Sequence, residues 1–165
     1  LLTCALLAAL ALALSWLERL LPLHLIVPLP GLKLGFANIV TLFALLYLRP
    51  GAAFWVLVVR CFLASLLFGT GVSLAFSLSG GLAAFAVMIL LLRACPFLSV
   101  YGVSIMGAAF HSVGQIAAAA VLMATPSVFA YLPVMLVFSV PCGLFTAFVA
   151  ASLFPRLPDA VIHPL

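Results

Sequence analysis

Long apolar runs, broken only by isolated charges, prolines and glycines, fill the chain. The runs do not alternate apolar with polar residues, so they read as membrane-spanning helices rather than barrel strands. Cutting at the breaks predicts six helices, over about 1–18, 34–48, 52–68, 72–92, 100–123 and 128–153. Glu18-Arg19 ends the first, and a loop over 19–33 follows with Pro22, Pro28, Pro30, Gly31 and Lys33. Later breaks fall at Arg49-Pro50-Gly51, Gly69-Thr70-Gly71, Arg93 with Pro96, Thr125-Pro126-Ser127 and Pro155-Arg156. The second span is short for a hydrocarbon core of about 30 Å at about 1.5 Å per residue. It therefore either sits deep or begins inside the protein. Pro133 and Pro141 fall within the sixth span and predict kinks or a broken helix. No heptad or inverted repeat is legible.

Composition strengthens this picture. Of 165 residues, 69% are hydrophobic and 5% charged, and the mean hydropathy is +1.54. A soluble domain is about 45–50% apolar and about 25% charged. The expected fold is an all-α integral membrane protein, one transmembrane domain over 1–165 built as a six-helix bundle in a lipid bilayer. Residues 1–17 look like a signal-peptide core, but hydrophobicity resumes at once, so they are read as a span. This composition excludes a soluble enzyme and a disordered tail.

Charge then sets a topology. The net charge is +4, but Arg19, Lys33, Arg49, Arg60, Arg93 and Arg156 stand singly, so no patch for nucleic acid forms. Arg49, Arg93 and Arg156 follow even-numbered spans and share one side, while Arg19 and Lys33, with Glu18, share the other. The basic excess predicts both termini in the cytoplasm and the loop 19–33 facing outward.

Catalytic chemistry has little to work with. The two carboxylates, Glu18 at a span end and Asp159 in the tail, are expected to lie apart, and no acidic cluster to hold magnesium and diphosphate exists. Cys4, Cys61, Cys95 and Cys142 have no metal-ligand spacing and read as small buried hydrophobes. No catalytic residue, metal or cofactor is expected.

A few polar positions call for a reason. Arg60 lies mid-span, where a charge costs at least about 2.5–3.5 kcal/mol. It is either a pocket residue for an anion or a side chain that snorkels or bonds helix carbonyls, and no carboxylate presents itself as its partner. His111 and Gln115, at i and i+4, share a helix face near Ser104, Gly107 and Ser112. That face is either interhelical glue or part of a substrate pocket. Lys33 and Asn38 flank Gly35 where the loop meets the second span, as an anion site at a helix start or an interfacial anchor. Ala5, Ala9 and Ala13 form a small-residue stripe that permits close helix contact, internal or with a partner.

The run Pro30-Gly31-Leu32-Lys33-Leu34-Gly35-Phe36-Ala37-Asn38-Ile39-Val40 resembles the Gx transporter family, also labelled heptaprenyl diphosphate synthase component I. Arg60, Ser79-Gly80-Gly81 and His111-x-x-x-Gln115 fit the same pattern, and the resemblance covers nearly the whole chain. That family is similar to the substrate-binding S components of energy-coupling-factor transporters. The resemblance implies an S-component-like bundle in a bacterial inner membrane, with the first outer loop over a pocket. On this reading Asn38, His111 and Gln115 orient a small-molecule substrate by hydrogen bonds, and Lys33 or Arg60 meets an anionic group on it. The resemblance also implies that Ala5, Ala9 and Ala13 dock a transmembrane coupling subunit whose partner ATPases supply energy, since the chain has no P-loop. The expected function is uptake of a small organic nutrient or precursor. The alternative is a non-catalytic membrane accessory component of polyprenyl (heptaprenyl) diphosphate synthesis.

Overall fold

The computed structural model describes residues 2–18, 20, 33 and 35–153. It contains α1 (Leu2–Glu18), α2 (Asn38–Tyr47), α3 (Pro50–Phe68), α4 (Gly71–Ala94), α5 (Val100–Leu122) and α6 (Leu132–Leu153), with a 3-10 turn at Pro126–Tyr131 before α6. No strand occurs among the described residues. The described residues thus form an all-α bundle of six helices. Four segments, α3, α4, α5 and Pro126–Ser152, are long and apolar enough to cross a membrane.

Local chemistry sets the ends of these helices. Pro50 opens α3, where its missing N–H costs no helical bond. Thr70 caps α4 by accepting from the Ser73 amide at 3.2 Å, and Ser99 caps α5 by accepting from the Gly102 amide at 3.3 Å. In the sixth span the interruption lies at the 3-10 turn, not at Pro133. Pro133 falls in the first turn of α6, which leaves Pro141 as the internal proline.

The second span is the main departure from the apolar pattern. It is helical only over Asn38–Tyr47, about 15 Å at about 1.5 Å per residue and half of a bilayer core. Gly35, at φ +90°, turns the chain in the left-handed region that glycine adopts without cost. The Asn38 amide then closes on the Gly35 carbonyl at 2.8 Å and the Ile39 amide on Phe36 at 3.0 Å. The helix begins inside the protein, with Asn38 and most of its length buried.

α2 packs against α1, α3, α4, α5 and α6, so it is the axis of the bundle. Its Val40, Leu42 and Leu45 join Ala53, Met88 and Val103 in the main buried cluster. The outer surface is apolar too, with Trp55, Leu66, Phe97, Val121, Val137 and Phe148 exposed. Apolar residues inside and outside together suit a chain solvated by lipid. α4 and α5 come into backbone contact: a Cβ at Gly80 would lie 2.8 Å from the His111 carbonyl oxygen, and one at Gly114 2.6 Å from the Ser79 carbonyl oxygen. Small residues permit such approach, and here it carries His111 and Gln115 against α4.

Cys61 and Cys142 are buried, whereas Cys4 and Cys95 are only partly so, and none of the four forms a disulfide. Arg19, Arg156, Asp159 and the loop 19–33, apart from Leu20 and Lys33, lie outside the described residues, so the topology argument from them has no structural counterpart.

Candidate polar site at the bundle axis

The start of α2 gathers the buried charged, amide and imidazole side chains of the described interior. Asn38, Arg60, His111 and Gln115, from α2, α3 and α5, are all buried, and Lys33 is partly so. Glu18, the last residue of α1, is buried with them at 2% exposure. Glu18 stands at the end of the first span, as expected, but is buried there. One expectation is corrected: Arg60 does have a carboxylate in range. Among the described residues, Lys33 and Arg60 are the cations whose charges reach the Glu18 carboxylate. α1 ends level with the start of α2, and tertiary packing brings the residues together across a long gap in sequence.

Hydrogen bonds tie the group together. Glu18 Oε1 accepts from the Gly35 amide at 2.5 Å, so α1 holds the turn that launches α2. Lys33 spans the site: its amide donates to Gln115 Oε1 at 3.1 Å and its Nζ to Ser77 Oγ at 2.7 Å. Arg60 Nη2 donates to Asn38 Oδ1 at 3.2 Å. An unpartnered buried arginine would cost several kcal/mol, and the Asn38 and Glu18 oxygens offset part of that.

One chain of donors sets the histidine tautomer. The Lys33 amide engages Gln115 Oε1, which orients the Gln115 carboxamide. Its Nε2 therefore faces His111 Nε2, 2.6 Å away, as the donor. His111 must accept at Nε2, which leaves its proton on Nδ1. The ring faces the Gly80 carbonyl, yet Nδ1 meets no acceptor in hydrogen-bonding geometry. Asn38 Nδ2, Thr41 Oγ1 and Arg60 Nε are likewise buried without a partner. Such orphans are few in native interiors, and each calls for an explanation.

Gly35 is required twice over. A Cβ there would lie 2.9 Å from His111 Cδ2 and 3.0 Å from Asn38 Nδ2, besides the positive φ. Gly81 brings α4 close to α3, where a Cβ would meet Leu57 Cδ1 at 3.0 Å and Arg60 Nη2 at 3.6 Å.

All five residues expected to bind a substrate thus meet at one place. The polar face of α5 divides, however. Ser104 Oγ donates to the Gly143 carbonyl of α6 at 2.8 Å and Ser112 Oγ to its own helix at Ala108, 3.3 Å away. These two serines are packing bonds, and only His111 and Gln115 reach the site. Ser77 and Glu18 were missed. Ser73, Ser77, Gly80, Gly81 and Ala84 form a buried small-residue face on α4, a helical spacing legible in the sequence. Glu18 had only the rarity of carboxylates as its signal. Ala5, Ala9 and Ala13 lie exposed on α1, opposite its buried face of Leu7, Ala8, Ala11, Ser15 and Glu18. No group of three or more potential metal-ligating side chains occurs among the described residues.

No curated protein and no solved structure gives a significant match. A family model described as Heptaprenyl diphosphate synthase component I matches residues 7–153, from α1 to the end of α6 and through every residue of the polar site. The chain therefore belongs to the Heptaprenyl diphosphate synthase component I family.

Proposed function

We propose that the chain is a membrane-embedded substrate-binding subunit for uptake of a small organic molecule. One observation carries this reading: Glu18, Lys33, Asn38, Arg60, Ser77, His111 and Gln115 converge from five helices and a turn on the bundle axis. A purely structural bundle gains little from concentrating costly polar groups at one point and leaving several unpartnered. A binding site gains specificity from such a set within an apolar surround. Lys33, Asn38, Arg60, His111 and Gln115 are the residues that would orient the ligand.

The subunit would sit in the cell membrane with both termini in the cytoplasm, like an S component. Transport energy would come from partner ATPases through a transmembrane coupling subunit. Ala5, Ala9 and Ala13 form the surface for that subunit, since they are exposed and small on one helix face. Native mass spectrometry of the chain purified in lipid nanodiscs tests the reading. A small molecule retained by wild type and lost in Asn38→Ala and His111→Ala supports it; retention by both variants overturns the site.

A second reading has the family's description in its favour: a non-catalytic membrane accessory to polyprenyl diphosphate synthesis. Stable copurification with a soluble prenyl-transferring subunit, in place of ATPases, would favour it.

A further inference from the structure

Taking the chain as a binding subunit, we infer that its ligand is a small organic anion bearing one carboxylate, held between Asn38 and Arg60. Charge is the first ground. Among the described residues the site has two cations, Lys33 and Arg60, and one carboxylate, Glu18. The surplus is positive whichever protonation state Glu18 takes. The chain's other carboxylate, Asp159, follows α6 in the sequence and lies outside the described residues. A charge excess in a lipid-surrounded interior calls for a counter-charge. With Glu18 ionised, one negative charge cancels it, whereas a phosphate dianion would reverse it.

The second ground is independent of charge. Side-chain oxygens of Glu18, Asn38, Gln115 and Ser77 already accept hydrogen bonds. The unspent buried nitrogens are donors: Asn38 Nδ2, Arg60 Nε and His111 Nδ1, with the Thr41 hydroxyl beside Asn38 on α2. A ligand rich in donors would have to share oxygens that already accept a bond. A carboxylate brings two acceptor oxygens and no donor. Asn38 and Arg60 are joined by one hydrogen bond and each keeps an unspent N–H. The Cβ-free face of Gly35 beside Asn38 Nδ2 and the His111 ring allows the backbone to approach there.

The test reads the thermal midpoint of the full chain in phosphatidylcholine nanodiscs with two isosteric pairs, acetate against acetamide and benzoate against benzamide. A saturating carboxylate is expected to raise the midpoint by about 2–4 °C while its amide leaves it unmoved. Asn38→Asp places a carboxylate beside Arg60, so it should raise the midpoint by itself and abolish the response to added carboxylate. Arg60→Gln should abolish the response as well; if Arg60→Gln does not fold, Asn38→Asp decides alone. Equal shifts from amide and carboxylate, or none from either carboxylate, overturn the inference. So does stabilisation by phosphatidylglycerol nanodiscs alone, which would make a lipid headgroup the anion. A neutral molecule retained in native mass spectra and lost in His111→Ala would overturn the anion while keeping the binding subunit. No retained molecule and no response to any probe would remove both.

Discussion

Glu18, the last residue of α1, accepts a hydrogen bond from the amide of Gly35, the residue that turns the chain into α2. A side chain of one helix thus fixes where another starts. α2 can be short and deep because its first turn is satisfied by protein rather than by water. The same carboxylate answers the charges of Lys33 and Arg60, so one residue supports both the architecture and the polar site.

Removing Glu18 should therefore be among the costliest changes. Glu18→Ala leaves the Gly35 amide without its acceptor and removes the carboxylate near Lys33 and Arg60, with an expected loss of about 1–3 kcal/mol. Glu18→Gln keeps an acceptor for Gly35 and should lose less. Thermal unfolding of the two variants in the same nanodiscs gives the order, and equal losses would show that charge alone matters.

Gly35→Ala combines left-handed strain of about 1–2 kcal/mol with a Cβ 2.9 Å from His111 Cδ2. Gly51 in α3 is the control, since a Cβ there meets nothing within 4 Å. Gly51→Ala is expected to be neutral or to stabilise by about 0.5–1 kcal/mol. A lower midpoint for the first and an unchanged or higher one for the second is the expected pattern.

The helix contact at Gly80 is equally testable. A side chain there meets the His111 backbone 2.8 Å away, which cannot rotate aside. Gly80→Val should separate α4 from α5, lowering the midpoint and weakening any retained ligand together, because His111 and Gln115 reach the site through this contact.

The tautomer of His111 has its own readout. Wild type should give the nitrogen chemical shifts of a neutral ring protonated at Nδ1, since Gln115 donates to Nε2. Gln115→Glu can still accept from the Lys33 amide but has no N–H to donate, so the ring proton should move to Nε2 or both nitrogens should be protonated. Solid-state NMR of a histidine-labelled chain distinguishes these, and an unchanged spectrum would refute the donor chain from Lys33 through Gln115.

The stripe on α1 makes a prediction of the opposite kind. Ala9→Trp projects from an exposed position, so the stability should stay within about 0.5 kcal/mol of wild type. Copurification with a transmembrane coupling subunit should be lost. A complex that survives the substitution would remove the docking role.

The sequence alone determined the solvent and the elements. Apolar runs of bilayer length, with so few charges, leave only helices in lipid, and the helix breaks fall near the prolines, glycines and arginines. Arg60, His111 and Gln115 stood out because polar residues in such runs are expensive. What composition and spacing left open was which of these meet. Helix periodicity could not separate Gln115, which bonds the Lys33 amide, from Ser104, which only bonds α6. Nor could it place Glu18, because a carboxylate at a helix end faces water or a neighbour depending on where the neighbouring helix begins. Tertiary structure decided that by sinking the start of α2 to the level of Glu18. Local pattern records the cost of a polar group in lipid, but the partner that offsets the cost arrives from a distant part of the chain through packing.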